Sequence, residues 1–107
     1  MAISPTARTL KRLRDSGDYP LVTIVERWNA FAKIRQDLFG IIDILAIDGK
    51  GNTVGLQVTS YSNISARVKK MEDSEAISHL RDANWKLVVE GWHKKDNRWV
   101  SRIVDIS

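Results

Sequence analysis

The segment from Gly40 to Ser60 constrains this chain most. Ile41-Ile42-Asp43-Ile44-Leu45-Ala46-Ile47-Asp48 reads as an apolar strand, Gly49-Lys50-Gly51 as a turn, and Val54-Gly55-Leu56-Gln57-Val58-Thr59-Ser60 as a second strand. Few chains place an acid in the middle of such a strand, because burying a carboxylate without a partner is expensive. Gln57 and Thr59 are two apart, so they point to one face. If the hairpin pivots about Lys50, with Gly51 left-handed in a three-residue loop, Asp43 lies opposite Gln57. A loop one residue longer or shorter would change that pairing. An acid facing a polar pair across a hairpin has the form of a site. It also admits a structural reading, in which Asp43 pairs with a buried arginine or caps a backbone group. Gln57 and Thr59 are likewise ordinary strand residues when taken singly.

At 107 residues the chain suits one domain, residues 1–107, with one core. It has no cysteine and two histidines, His79 and His93. That excludes disulfides, thiolate metal sites and a cysteine nucleophile, and leaves too few imidazoles for a multi-histidine zinc site. No apolar run has the length of a bilayer span. Met1–Arg14 is basic without an apolar centre, unlike a secretory signal. The expected location is therefore cytoplasmic, with no membrane partner. A formal net charge of +4 favours a polyanionic partner, nucleic acid first.

Ser4-Pro5 reads as a helix start, Ala7, Leu10 and Leu13 as its apolar stripe, and Asp15-Ser16-Gly17-Asp18 as its end. A strand follows over Leu21–Arg27. Trp28–Phe39 matches neither period and reads as a long loop of the kind that carries function. A second helix spans about Ile64–Ala83, with a weak turn near Ser74 and Glu75. The chain closes with a hairpin, Trp85–His93 and Trp99–Ile106, turning at Lys95-Asp96-Asn97. The order is helix, three strands, helix, two strands: a compact α/β domain.

This order, with an acid late in a strand and a Gln-x-Thr on the next, resembles the PD-(D/E)XK nuclease superfamily, especially the small Holliday junction resolvases and Mrr-like endonucleases. The match covers most of the chain, and the Asp43-to-Gln57 spacing is typical of that family. Asp37-Leu38-Phe39-Gly40-Ile41-Ile42-Asp43 followed by Gln57-Val58-Thr59-Ser60 also looks like a group of small phage-encoded proteins. The resemblance implies a restriction-endonuclease-like domain, an αβββαβ core with an added C-terminal strand. It implies a Mg²⁺- or Mn²⁺-dependent deoxyribonuclease hydrolysing DNA phosphodiester bonds, endo- or exonucleolytic, with branched DNA as one substrate class. A homodimer in the host cytoplasm would set two sites on two strands.

By the same resemblance Asp43 is the metal-binding aspartate. Gln57 takes the second ligand position through its amide oxygen or the adjacent Val58 carbonyl. Thr59 stands where the family has a lysine and can position water without bringing charge. The first helix has no glutamate; Arg8, Lys11 and Arg12 occupy that region. Asp37 is the candidate second carboxylate, with an alternative role as a cap or turn residue. Glu26 is a further option, otherwise a solvated strand residue. Lys69, Lys70 or Arg67 from the second helix can replace the missing cation, as can Lys33 or Arg35 from the loop.

Nucleic-acid contacts are expected from Arg67, Lys69 and Lys70, with Asn63, Ser62 and Ser65 forming a phosphate cradle at the helix start, and from Lys33 and Arg35. Arg8, Lys11, Arg12 and Arg14 on the first helix, and Lys94, Lys95, Arg98 and Arg102 on the last hairpin, read equally as solvated faces. Trp85 and Trp99 are expected in or beside the core. Trp92 is expected to be exposed, at a dimer interface or on a base, and both histidines at the surface or in packing. Two rival functions follow from Thr59 and the glutamate-free helix: a nuclease fold that binds DNA without cutting it, or a protein-binding inhibitor.

Overall fold

The structure, a computed structural model, describes residues 3–107. Met1 and Ala2, the start of the segment read as lacking a secretory signal, lie outside it. Helix α1 (Pro5–Ser16) begins as expected: the Ser4 hydroxyl accepts from the Ala7 N–H, Pro5 takes the first turn, and Gly17 ends the helix at φ +76°. Strand β1 (Leu21–Ile24) follows, then a short ribbon of β2 (Arg27–Asn29) and β3 (Ile34–Gln36). Strands β4 (Ile44–Ile47) and β5 (Thr53–Ser60) form the central hairpin. A 3-10 turn (Tyr61–Asn63) leads to α2 (Ile64–Glu72) and α3 (Ala76–Asp82), and β6 (Lys86–Lys95) and β7 (Arg98–Asp105) complete the chain.

Five strands form one sheet in the order β1-β4-β5-β6-β7, with β5 and β6 parallel and the other neighbours antiparallel. The fold is thus mixed α/β. The β5–β6 pair needs a crossover, which α2 and α3 provide. The β4–β5 register is the expected one from Ile44 to Ile47, but it does not extend to Asp43, whose N–H donates to the Leu56 carbonyl, so Asp43 does not lie directly opposite Gln57. Ile44 faces Leu56, Ile47 faces Thr53, the Asp48 N–H donates to the Asn52 carbonyl at 3.1 Å, and Gly51 sits at φ +86°.

Each face of the sheet has its own core. On one, Leu13 of α1 packs with Ile44, Ala46, Val54, Leu56 and Val58. On the other, Ile64, Met71, Ile77 and Leu80 of α2 and α3 cover Ile42, Leu87 and Val89. Strand β5 is central and buried along both faces, with Val54, Leu56 and Val58 toward α1 and Gly55, Gln57 and Thr59 on the other side.

The helix over 64–83 divides at the weak turn expected near Ser74 and Glu75, where the Ser74 hydroxyl accepts from the Ala76 N–H and starts a new helix. The new helix ends in a Schellman motif: Asn84 is left-handed at φ +63° and the Trp85 N–H reaches the Leu80 carbonyl. The strand expected through Arg27 leaves the sheet after Ile24, and the loop over 28–39 contains the β2–β3 ribbon. The two tryptophans exchange roles. Trp99 is exposed with the Arg8 guanidinium 3.9 Å over its ring, whereas Trp92 packs under α1 and donates its indole N–H to Thr9 Oγ1 at 2.8 Å. Strand β6 has neighbours on both sides, so its α1-facing residues are covered. Trp85 is half-buried against the second core as expected, His79 is exposed, and His93 stacks on Tyr61 at 4.2 Å.

No helix among the described residues is long and apolar enough to cross a membrane. The last hairpin turns at Asp96 and Asn97, both left-handed at φ +52° and +63°, as a two-residue loop between Lys95 and Arg98 requires.

The α1 face hides one polar assembly. Glu90 is fully buried on β6 and accepts hydrogen bonds from Thr9 Oγ1, from Arg12 Nε and Nη2, and from Ser101 Oγ. Every partner lies on α1 or β7, so the pair fastens the helix to the sheet. Arg12→Met should lower stability by about 3 kcal/mol, because removing one partner strands a buried charge. Urea unfolding measures this, and a loss near zero would show that Thr9 and Ser101 satisfy Glu90 alone.

Candidate metal centre

Three strand ends meet where β1 leaves the sheet. The Val25 N–H donates to the Asp43 carbonyl at 2.8 Å, continuing the β1–β4 ladder past Ile24. The Asp43 N–H donates to the Leu56 carbonyl at 2.8 Å, although Leu56 is already the register partner of Ile44. Asp43 and Ile44 therefore oppose one residue, the arrangement of a β-bulge, which re-aims the side chain it carries. The Asp43 side chain turns toward β5. Its Oδ2 accepts from the Val58 N–H at 2.9 Å and from Gln57 Nε2. Asp43 and Gln57 are 4% and 1% exposed.

The bulge brings two further acids to Asp43. Glu26 follows β1, Asp37 follows β3, and one carboxylate oxygen of each lies within 4.8 Å of one on Asp43 and of the other. At about 5 Å and an effective dielectric near 20, each like-charged pair repels by about 3 kcal/mol. Two cations answer three acids: Lys70 Nζ of α2 lies 3.4 Å from Asp37 Oδ2, and Arg35 Nη1 of β3 lies 3.3 Å from Glu26 Oε1. The Asp43 carboxyl is pushed up to about 7. Burial is the largest cause, the Val58 N–H opposes it, and a hydrogen bond with Asp37 and the charges of Asp37 and Glu26 add to it.

A cleft of about 820 Å³ opens over this cluster, lined by Glu26, Asp37, Arg35 and Lys70 and walled by Arg27, Leu38 and Phe39. Asp43 lies beneath it. The donor set of three carboxylates fits a hard divalent cation, and beside it the Gln57 amide, which donates through Nε2 to Asp43, has a buried oxygen without a hydrogen-bond partner. Val58 contributes its N–H to Asp43. The resident ion implied by the resemblance, Mg²⁺ or Mn²⁺, suits these oxygens better than zinc would, since neither histidine is in the cluster.

The structure thus brings Asp43, Gln57, Asp37, Lys70 and Arg35 together. It sets the others apart. Thr59 shares a face with Gln57 but is buried beside Gly91 and does not line the cleft. Lys69 points to solvent and pairs with Asp73 at 3.4 Å, so it does not serve as the replacement cation. Lys33 occupies the ribbon's turn, and Arg67 and Asn63 lie on α2 and the turn before it, outside the cleft lining. Asn63 makes no side-chain capping bond. Glu26, read as a further option for the second carboxylate and otherwise as a solvated strand residue, is a member of the cluster, because β1 ends two residues before it. Glu90 escaped notice, although it carries the signal that marked Asp43, an acid in the apolar run Leu87-Val88-Val89-Glu90.

Comparison with family models, with curated proteins and with solved structures finds no match to this chain.

Burial of Asp43 has a pH signature. Between its ordinary 3.8 and about 7 the folded state holds a proton that the unfolded chain releases. The stability contributed is whole below pH 3.8 and is lost as pH rises toward 7. Asp43→Asn cannot ionise and keeps an oxygen for the Val58 N–H. In EDTA its stability should decline less over that interval and exceed the parent's at about pH 8. Urea unfolding across the interval checks this, and parallel curves for the two proteins would contradict it.

Proposed function

We propose that this chain is a metal-dependent nuclease of restriction-endonuclease-like architecture that hydrolyses phosphodiester bonds of DNA. One observation carries the reading: three carboxylates converge at a cleft that also holds Lys70 and Arg35, and the Gln57 amide that donates to Asp43 keeps a buried oxygen without a partner. The topology supports it, since α1, the β1-β4-β5 meander, a helical crossover and parallel β6 follow the order αβββαβ, with β7 added at the edge.

In this reading Asp43, Asp37, Glu26 and Gln57 hold Mg²⁺ or Mn²⁺. The ion, when bound, supplies positive charge for a phosphoryl oxygen and lowers the pKa of water. The chain's own residues do the rest. Asp43 is fixed by Val58, so its carboxylate is oriented before any ligand arrives. Lys70 offers the cation that Thr59 lacks, from the helix that follows the strand. In this reading Arg35 from the cleft wall, and Lys33 and Arg67 from outside it, take flanking phosphates, contacts that position DNA without reading sequence. A homodimer acting on branched DNA would set two such clefts on two strands.

A second reading, a DNA-binding module that does not cut, is favoured by buried, uncharged Thr59 and by α1. That helix packs on the opposite face of the sheet and brings no acid to the cluster.

Cleavage of linear duplex, single-stranded and four-way-junction DNA with Mg²⁺, Mn²⁺ or EDTA separates the two. Metal-dependent cutting is expected, abolished by Asp43→Ala and reduced about 100-fold by Lys70→Ala, the scale of one lost electrostatic stabiliser. Salt-sensitive binding of all three substrates without cutting, unchanged in Asp43→Asn, would establish the binding module instead.

A further inference from the structure

The β2–β3 ribbon is unlike the rest of the fold. Its only extensive packing is between its own two strands, and both of its faces are open to solvent. A free two-stranded hairpin is marginally stable in water, yet this one has a well-made tip. Asn29 Oδ1 accepts from the N–H groups of Phe31 and Ala32 at 3.0 and 3.1 Å, and Lys33 is left-handed at φ +53°. The tip holds Phe31 fully in solvent, with Trp28 and Ile34 also exposed. Keeping large apolar side chains in water is unfavourable, and such groupings mark contact surfaces. The ribbon, Arg27 to Gln36, contains Arg27, Lys33 and Arg35 and no acid. Its base is also a wall of the cleft, through Arg27, Arg35 and Gln36.

We infer that the ribbon is an arm that enters branched DNA, with Phe31 stacked on a base left unpaired at the branch and Arg27, Lys33 and Arg35 on the flanking phosphates. The inference deepens the proposed nuclease function and rests on its DNA substrate. The ribbon's own charges are all positive and only Arg35 is paired, with Glu26 at the ribbon's base at 3.3 Å, which matches a polyanion, whereas a second copy of the chain on this surface would crowd these cations together. A two-stranded ribbon fits a DNA groove about 12 Å wide. An aromatic wedge gains most where the stack is already broken, because less unstacking is needed there. Trp28 lies directly across from Arg35, so they share a face and give a second stacking platform beside a cation. The strand that leaves the tip ends one residue before Asp37, so the arm is joined directly to the carboxylate cluster.

The test is metal-free binding. A four-way junction carrying 2-aminopurine at the branch, and a linear duplex of equal length, are titrated in EDTA with the parent protein, Phe31→Ala, Phe31→Trp and Lys33→Gln. Phe31 and Lys33 are exposed, so these variants should keep the parent's urea midpoint. The parent should prefer the junction and raise 2-aminopurine emission. Phe31→Ala should lose about tenfold or more in junction affinity, along with the emission change, and Phe31→Trp should retain both. Lys33→Gln should reduce the slope of log affinity against log salt by about one.

Equal junction affinity for the parent and Phe31→Ala overturns the arm, and so does failure of the parent to bind DNA. Sedimentation adds a third arm: a parent dimer split by Phe31→Ala, with DNA affinity unchanged, would assign the surface to a second copy. Phe31-dependent binding without metal-dependent cutting would defeat only the nuclease reading. Metal-dependent cutting indifferent to Phe31 would defeat only the arm.

Discussion

A carboxylate kept at 4% exposure inside a sheet must be answered by whatever surrounds it. For Asp43 the answer shapes three strands. The bulge at Asp43 and Ile44 turns the side chain toward β5, where Val58 and Gln57 donate to it. The same step lets the Asp43 carbonyl take the Val25 N–H, after which β1 departs and delivers Glu26. The turn that precedes β4 delivers Asp37, and the helix that follows β5 delivers Lys70. Each placement depends on the ladder around Asp43, so the acid organises the neighbourhood that leaves it short of positive charge.

Glu90 shows what a buried acid looks like when its role is to hold the fold. It is as buried as Asp43, yet it has an arginine on both oxygens and two hydroxyl donors besides. Its charge is matched within the chain. Asp43 has two other acids as its charged neighbours, and the amide oxygen beside it has no partner. Both acids interrupt an apolar strand, and only their surroundings tell them apart. The two faces of the sheet divide accordingly: α1 and Glu90 hold structure on one, and α2 brings its cation to the cluster on the other.

The central hairpin was legible because two local signals agreed, an apolar run of fixed phase and a glycine able to take φ +86° at one position. The ends of α1 were legible for the same reason, in Ser4, Pro5 and Gly17. The β2–β3 ribbon was not, because period-2 alternation records burial of one face and this ribbon buries neither. Glu26 joined the cluster through the β1–β4 pairing, a contact between segments far apart in sequence that no local pattern records. The exchange between Trp92 and Trp99 followed from which face α1 covers, whereas the turn near Ser74 and Glu75 was legible and a side-chain bond makes it a full break. Lys70 was distinguished from Lys69 only by helix phase relative to Asp37.

Asp43, Asp37, Glu26 and Gln57 are proposed to form one cation site. Anomalous diffraction from crystals grown with Mn²⁺ decides this. One strong peak is expected among the three carboxylates, with Gln57 Oε1 as a ligand and the carboxylates drawn together. Saturating Mn²⁺ that leaves the cluster unmoved and without a peak, or that binds only elsewhere, would contradict it.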